Sequence, residues 1–143
     1  MAVAKDETEA LLTANDRFYR AFEKLDIAAM AAAWAHTDYV KCIHPGWGLL
    51  VGWDAVRASW ELIFRNTAEI KFTLTEVQVE CRGPLAWVTL TENILTQAAG
   101  RVAATAVLTT NVFEKIAAGW RMIHHHASHV MMPPVHGASD TVH

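Results

Sequence analysis

Histidines that stand beside aromatic residues are the part of this sequence best suited to chemistry. One lies in the segment His44-Pro45-Gly46-Trp47, and several more fill residues 124–129 (His-His-His-Ala-Ser-His). A neutral imidazole has a pKa of about 6.5, so it exchanges protons efficiently near neutral pH. The two segments therefore predict acid–base chemistry at a pocket.

His44 is the first candidate for a catalytic base. Residues 39–44 alternate so that Val40, Cys42 and His44 share one face of a short strand, which Pro45 ends. An inward histidine at a strand end fits a general base, but it equally describes a hydrogen-bonded histidine at a pocket rim. We predict a catalytic His44 and keep the second interpretation open.

The last strand supplies a second candidate. Strict alternation divides its side chains between two faces. The face predicted to enter the pocket carries Trp120, Met122, His124, His126 and Ser128, and the opposite face carries Arg121, Ile123, His125, Ala127 and His129. We predict His126 as the catalytic partner of His44, and His124 and Ser128 as ligand-binding residues. The alternative for His126 is to line the pocket without acting in catalysis.

These histidines also raise the question of a metal site. His124 and His126, two residues apart on one strand face, suit zinc or iron, with His44 as a candidate third ligand. No carboxylate accompanies them, although histidine sites for iron usually include one. We therefore expect neither a metal nor a cofactor.

Tryptophan is frequent, with 6 in 143 residues, where on the order of 1% is typical of proteins. Four tryptophans and an asparagine are predicted to contact a ligand: Trp34, Trp47, Trp60, Trp87 and Asn111. Trp34 and Trp60 fall on apolar helical stripes, where a core role is the alternative, so Trp47 is the strongest of the four. Asn111 either orients a ligand carbonyl or bonds across the sheet.

Apolar periodicity predicts the elements that position these side chains. A period of three to four residues indicates helices over about 6–25, 27–35 and 53–66, with Asp26 as N-cap of the second. A period of two indicates strands over about 39–44, 49–51, 69–81, 85–97, 102–116 and 120–130. Apolar parity flips between Leu74 and Val77, which predicts a bulge. The order favours an α+β domain with helices on one side of a curved antiparallel sheet.

Composition limits the class of protein. The 143 residues fit a single domain, 1–143, with a core at about 6–131 and a tail at 132–143. A net charge of -3 without a basic run argues against nucleic-acid binding. We find neither a signal peptide nor an apolar stretch of about 18 residues, so we expect no membrane association and a cytoplasmic location. Cys42 and Cys81 are expected to be buried free thiols.

The element order and several motifs resemble the SnoaL-like branch of the nuclear transport factor 2-like superfamily over roughly residues 6–131. The motifs lie at 21–26 (Ala-Phe-Glu-Lys-Leu-Asp), 32–34, 44–46, 52–56 and 120–128. The resemblance implies a cone-shaped, cystatin-like fold in which a bent, mixed antiparallel sheet wraps around three helices and leaves a ligand pocket. It also implies a homodimer that packs through the sheet, in keeping with the apolar residues on both faces of 86–94.

The resemblance to ketosteroid isomerases of this superfamily is partial at their functional positions. Their catalytic aspartate would stand where this chain has His44, and their oxyanion tyrosine where it has Phe18. Their second oxyanion donor would fall near Thr110 and Asn111. Steroid isomerisation by that mechanism is therefore not expected, and the acidic base of SnoaL-type cyclases has no match among the predicted pocket residues.

We therefore predict a small-molecule pocket protein that acts as a lyase, isomerase or hydrolase, using histidine-mediated proton transfer on an apolar oxygenated substrate. The alternative is a non-catalytic ligand-binding or oligomerisation module, similar to the kinase association domains of the superfamily. The remaining buried-looking acids, Glu92 and Glu114, are expected at the surface or in dimer contacts. The chain has no phosphate-binding glycine loop or nucleophile elbow, which argues against nucleotide and serine hydrolases.

Overall fold

The computed structural model describes residues 5–98 and 100–131, which form three helices and six strands in the predicted order. The elements are α1 Lys5–Glu23, α2 Ile27–Ala33, β1 Lys41–Ile43, β2 Leu50–Val51, α3 Trp53–Arg65, β3 Glu69–Arg82, β4 Leu85–Ala98, β5 Arg101–Ile116 and β6 Gly119–His129. The predicted tail at 132–143 lies outside the described residues.

The strands form one curved mixed sheet in the order β2-β1-β6-β5-β4-β3. Strand β1 runs parallel to β6, and the other neighbouring pairs are antiparallel. The helices cover one face, where inward side chains of β4 and β5 such as Val88, Leu90 and Phe113 meet Phe18 of α1 in the core. The predicted α+β fold is confirmed.

The helices follow the sequence signals closely. Helix α1 buries the stripe that includes Leu11, Ala14 and Phe18. The Asp26 carboxylate accepts the Ala29 N–H at 3.1 Å, so the predicted N-cap of α2 is confirmed. That helix ends at Ala33 rather than 35, because the next residue is extended and forms a bridge with β6. None of the described helices has the length and hydropathy needed to cross a membrane.

The predicted bulge in β3 is confirmed. The register of β3 against β4 shifts between Thr75 and Gln78. Glu76 has a φ of 55°, in the left-handed region that residues with a side chain seldom adopt. The bulge reverses the inward parity along β3, as the apolar pattern requires.

A second bulge, in β6, is absent from the sequence prediction. Val112 pairs with His124, but its neighbour Phe113 pairs with Met122, so Ile123 is the extra residue. Beyond the bulge, His125 and Ala127 continue the inward face that Met122 begins. The assignment of His124, His126 and Ser128 to the inward face is therefore wrong, because it assumed unbroken alternation.

Candidate active site

His44 occupies a buried position immediately after β1. It lies on the inward face with Val40 and Cys42, as predicted, and is 3% exposed. In the turn that follows, Gly46 has a φ of 82°, and the Trp47 N–H donates to the His44 carbonyl at 2.9 Å. This tight turn brings the indole of Trp47 back over the imidazole, with ring centroids 4.8 Å apart in an edge-on arrangement.

The hydrogen bonds of Ser59 determine which nitrogen of His44 carries the proton. Ser59 Oγ donates its one proton to the Val56 carbonyl at 2.6 Å and lies 2.9 Å from His44 Nε2. The hydroxyl must therefore accept from Nε2–H, which leaves the lone pair on Nδ1. Burial lowers the pKa of His44 from 6.5 to about 4. At neutral pH, His44 is thus a neutral imidazole with its lone pair on Nδ1, and it is a weaker base than the ordinary imidazole expected from the sequence.

His125 on β6 is a second buried imidazole, 2% exposed, with its ring centroid 6.3 Å from that of His44. Its Nδ1 lies 2.6 Å from Asn111 Oδ1. Asn111 Nδ2 donates to Asn15 Oδ1 at 2.9 Å and to the Tyr19 hydroxyl at 3.2 Å. Burial lowers the pKa of His125 well below its ordinary value. Asn111 thus bonds across the sheet to His125, as one of its two predicted interpretations requires, and it also connects the sheet to α1.

Glu92 of β4 ends this chain of hydrogen bonds. Its Oε2 accepts from the Tyr19 hydroxyl at 2.5 Å, and the residue is only 3% exposed. Burial raises the pKa of Glu92 from 4.5 to about 7, and the hydroxyls of Tyr19 and Thr109 partly offset that rise. Burial and the adjacent carboxylate also raise the pKa of Tyr19, so its phenol keeps its proton. The expectation of a surface or dimer-contact Glu92 is wrong.

Aromatic rings enclose the two imidazoles. Trp60 meets His44 edge-on at 4.7 Å and lies 5.9 Å from His125, while Phe18 lies 4.9 Å from His125. Trp60 and Phe18 are fully buried, whereas Trp47 is 40% exposed. Of the rings that contact His44, Trp47 is therefore the one that also reaches solvent.

A surface cavity of about 280 Å³ approaches the other end of the network, between α1 and β3. Its walls are formed by Asp16, Tyr19, Arg20, Glu23, Phe72 and Leu74. Tyr19 links this cavity to the buried hydrogen-bond network, because its hydroxyl forms hydrogen bonds with Glu92 and Asn111.

The remaining predicted site residues fall into three groups. Asn111 and Trp60 join His44 in the buried cluster, and Trp47 covers it. His124, His126 and Ser128 lie on the outer sheet face, as does Trp87, which is 36% exposed on the strand whose inward residues are Val88 and Leu90. Trp34 is core, with its ring 6.0 Å from Trp53. The structure does not bring His126 to His44, and the second imidazole beside His44 is that of His125.

Three site residues absent from the prediction carried detectable signals. Asn15 and Tyr19 are four residues apart, which places both on one face of α1 with Leu11. Glu92 continues the inward parity of Ala86, Val88 and Leu90 along β4. His125 carried no such signal, since its inward position depends on the bulge at Ile123.

The three-histidine metal set considered from sequence is not assembled. His44 faces the core while His124 and His126, with ring centroids 6.4 Å apart, lie on the outer face. Among the described residues, no group of three or more histidine, cysteine or acidic side chains is placed to hold a metal ion.

Comparison with known proteins places this chain in a family. The model of a SnoaL-like domain matches residues 11–133. The F-box protein SKIP8 of Arabidopsis thaliana is 34% identical over 121 residues, which cover 85% of this chain and 50% of that protein. The chain thus spans about half the length of this curated relative.

Two solved structures share both fold and sequence with the chain. A candidate dehydratase of the NTF2-like family from Streptomyces avermitilis has a TM-score of 0.85 and 35% identity, covering 91% of this chain and 100% of its own. A candidate calcium/calmodulin-dependent protein kinase type II association domain from Thiobacillus denitrificans has a TM-score of 0.75 and 35% identity, covering 82% and 93%. The chain belongs to the SnoaL-like domain family within the NTF2-like superfamily.

Proposed function

We propose that this protein catalyses proton transfer on a small, apolar, oxygenated molecule, in a lyase, isomerase or hydrolase reaction. The observation that carries the proposal is the pair of buried neutral imidazoles, His44 and His125, 6.3 Å apart. Each has one ring nitrogen bonded to a protein acceptor and carries its lone pair on the other nitrogen, which at His44 is Nδ1, 3.9 Å from the Cys42 thiol. The similarity to a candidate dehydratase supports a reaction of the lyase class.

In this proposal His44 is the base, acting through Nδ1, and His125 is its partner. The position of His44 beneath the partly exposed Trp47 favours it as the first group that a ligand meets. A ligand that moves the Trp47 indole aside would contact His44 on a side that Trp60 also borders. Asn111 would act indirectly, by holding His125.

The chemistry of the surroundings favours an uncharged ligand. Next to the two imidazoles lie the Ser59 hydroxyl, the Asn111 amide, the Phe18 ring and the Trp60 indole. Such a site stabilises neutral polar atoms by hydrogen bonds and apolar atoms by contact, while a full charge would lose its hydration without an opposing charge. Carbonyl, hydroxyl and epoxide oxygens fit these limits.

The test is solvent-proton exchange. The purified protein is incubated in D₂O with uncharged ketones, β-hydroxy ketones and epoxides, and mass spectrometry follows deuterium uptake, loss of water and ring opening. We expect at least one of these reactions to be catalysed, with a rate that falls below about pH 4 as His44 becomes protonated. Absence of all three, together with a small molecule that stays bound through purification, would favour a binding module instead.

An oligomerisation module is the second candidate, and a specific surface favours it. The outer sheet face exposes apolar side chains, namely Leu85, Trp87 and Leu95 of β4 and Leu108 of β5. Apolar residues grouped on one sheet face are typical of a protein–protein contact. We propose that this face packs against a second copy of the chain, and the similarity to a kinase association domain agrees with an assembly role. The two candidate functions use opposite faces of the sheet and are compatible.

A further inference from the structure

A carboxylate only accepts hydrogen bonds, and this property of Glu92 determines the direction of every bond along the buried chain. When Glu92 is ionised, the single proton of the Tyr19 hydroxyl is donated to it. The Tyr19 oxygen can then only accept from its remaining neighbours, which are the Thr109 hydroxyl and Asn111, the latter 3.2 Å away. Asn111 must therefore turn its NH₂ group toward Tyr19.

The orientation of Asn111 in turn sets the tautomer of His125. With its NH₂ group toward Tyr19, Asn111 presents Oδ1 to His125 Nδ1 at 2.6 Å. An amide oxygen accepts, so Nδ1 must carry the proton and Nε2 must carry the lone pair. Asn15 does not impose this orientation, because its own amide can present either oxygen or nitrogen to Asn111.

We propose that Glu92 is a positioning residue that acts through Tyr19 and Asn111 to fix His125 as the Nδ1–H tautomer, with Nε2 as its proton-accepting nitrogen. The catalytic meaning of this arrangement rests on the proposed function, in which His125 partners His44. The tautomer itself does not rest on it. In other proteins a carboxylate bonds the second nitrogen of a histidine directly and fixes its tautomer, whereas here two residues intervene.

Protonation of Glu92 removes the constraint. A carboxylic acid donates to the Tyr19 oxygen, the phenol proton becomes free to turn toward Asn111, and the amide is no longer held in one orientation. Burial raises the pKa of Glu92 to about 7, so the constraint applies above that pH and is lost below it. On the α1 side, the titratable or charged groups around this network are Asp16, Arg20 and Glu23, at the cavity beside Tyr19. On the β6 side they are His125 with His44 beyond Asn111, and His124 and His126 on either side of His125.

The test is the ¹⁵N NMR spectrum of the His125 ring, in which protonated and unprotonated nitrogens are distinguishable. At about pH 8.5 we expect the native protein to show His125 wholly as Nδ1–H. Glu92→Gln replaces an acceptor-only group with one that presents either oxygen or nitrogen, so the Nε2–H form should appear beside it. Tyr19→Phe cuts the chain at another link and should give the same mixture, which keeps the test available if one variant folds poorly.

Glu114→Gln is the matched control, because Glu114 also accepts from a tyrosine hydroxyl, that of Tyr39, but at the surface. It should leave the His125 spectrum unchanged. The proposal is overturned if His125 in the native protein is Nε2–H at high pH, or if Glu92→Gln and Tyr19→Phe both fold and keep His125 wholly Nδ1–H.

The pH dependence of the reaction rate is a second measurement, and Glu92→Gln would not change it if Glu92 only supported the fold. The native rate should rise as pH increases through about 7, and Glu92→Gln should lack that rise and be slower at about pH 8.5 by at least about tenfold. If turnover exists but neither the tautomer nor the pH profile responds to Glu92→Gln, the inference fails and the proposed function survives. If the His125 tautomer changes in Glu92→Gln but no compound reacts with the native protein, the inference survives and the proposed function fails.

Discussion

Two buried side chains, Glu92 and His44, make opposite contributions to stability as pH changes. The pKa of Glu92 is raised from 4.5 to about 7, so its stabilising contribution is complete below about pH 4.5 and is lost as pH rises through 7. The pKa of His44 is lowered from 6.5 to about 4, so its contribution is complete above about pH 6.5 and is lost as pH falls through 4. Each of these two pKa shifts corresponds to a change of about 3 kcal/mol in the free energy of unfolding.

Replacing Glu92 with glutamine should separate these contributions, because the amide stays neutral at every pH. We expect the free energy of unfolding of Glu92→Gln, relative to that of the native protein, to increase by about 3 kcal/mol between about pH 4.5 and pH 8. Urea unfolding at the two pH values measures this difference. Glu114→Gln, at the surface, should show little change, and a pH-independent difference for Glu92→Gln would contradict the burial argument.

At this scale the sequence could predict His44 and the inward position of Asn111, but only part of the site. Alternation along β1 predicts that His44 faces the same side as Val40 and Cys42. Strand β1 is only 3 residues long, so it has no room for a bulge that would break the alternation. Inward periodicity also applies to Tyr19 and Glu92, but a tyrosine beside Phe18 and a glutamate in an apolar strand carry no sign of a function in the sequence. Only their contact with each other, 73 residues apart in sequence, reveals the network.

Strand β6 shows how one element decides which histidine enters the core. The extra residue at Ile123 allows Met122 and His125 to face the same side although they are three residues apart. A bulge of this kind has no clear sequence signal in a run of three histidines, because each of them fits either face. The identity of the second imidazole was therefore beyond prediction from alternation.

Deleting Ile123 tests that interpretation of β6. Without the extra residue the strand alternates regularly, with Met122 and His125 still inward, so the fold and the register with β5 should survive. We expect a loss of about 1 to 2 kcal/mol from the missing half-buried side chain, measured by urea unfolding. Deleting Thr110, in the unbroken register of β4 with β5, forces a one-residue slip and should unfold the protein. Unfolding of the Ile123 deletion as well would contradict the bulge assignment.

In the molecule as a whole, the two faces of the sheet carry different kinds of side chains. The inner face holds the polar network, and the outer face exposes Trp87 and Leu108, the latter 56% exposed. The fold itself was predictable, because long amphipathic helices and long alternating strands carry strong periodic signals. The homodimer through the sheet stays a prediction, because the sequence does not distinguish apolar residues that meet a partner from those that meet the core.

Charge on the outer face should prevent association of two copies. We expect the native protein to sediment as a dimer at micromolar concentration, and Leu108→Glu or Trp87→Glu to sediment as a monomer, because paired faces would bury unpaired carboxylates. Leu12→Glu is the control, since Leu12 is a comparably exposed apolar residue on α1. A monomeric native protein, or dimers that persist in both outer-face variants, would exclude this interface.

The central claim is that the buried imidazole of His44 transfers protons, and His44→Asn tests it most directly. The measurement is the rate of reaction in D₂O at about pH 8.5 with the compound that the native protein converts fastest, while circular dichroism confirms the fold. We predict a rate at least about 100-fold below that of the native protein, and a near-native rate for His129→Asn on the exposed end of β6. Equal rates for native protein and a folded His44→Asn variant would contradict the claim.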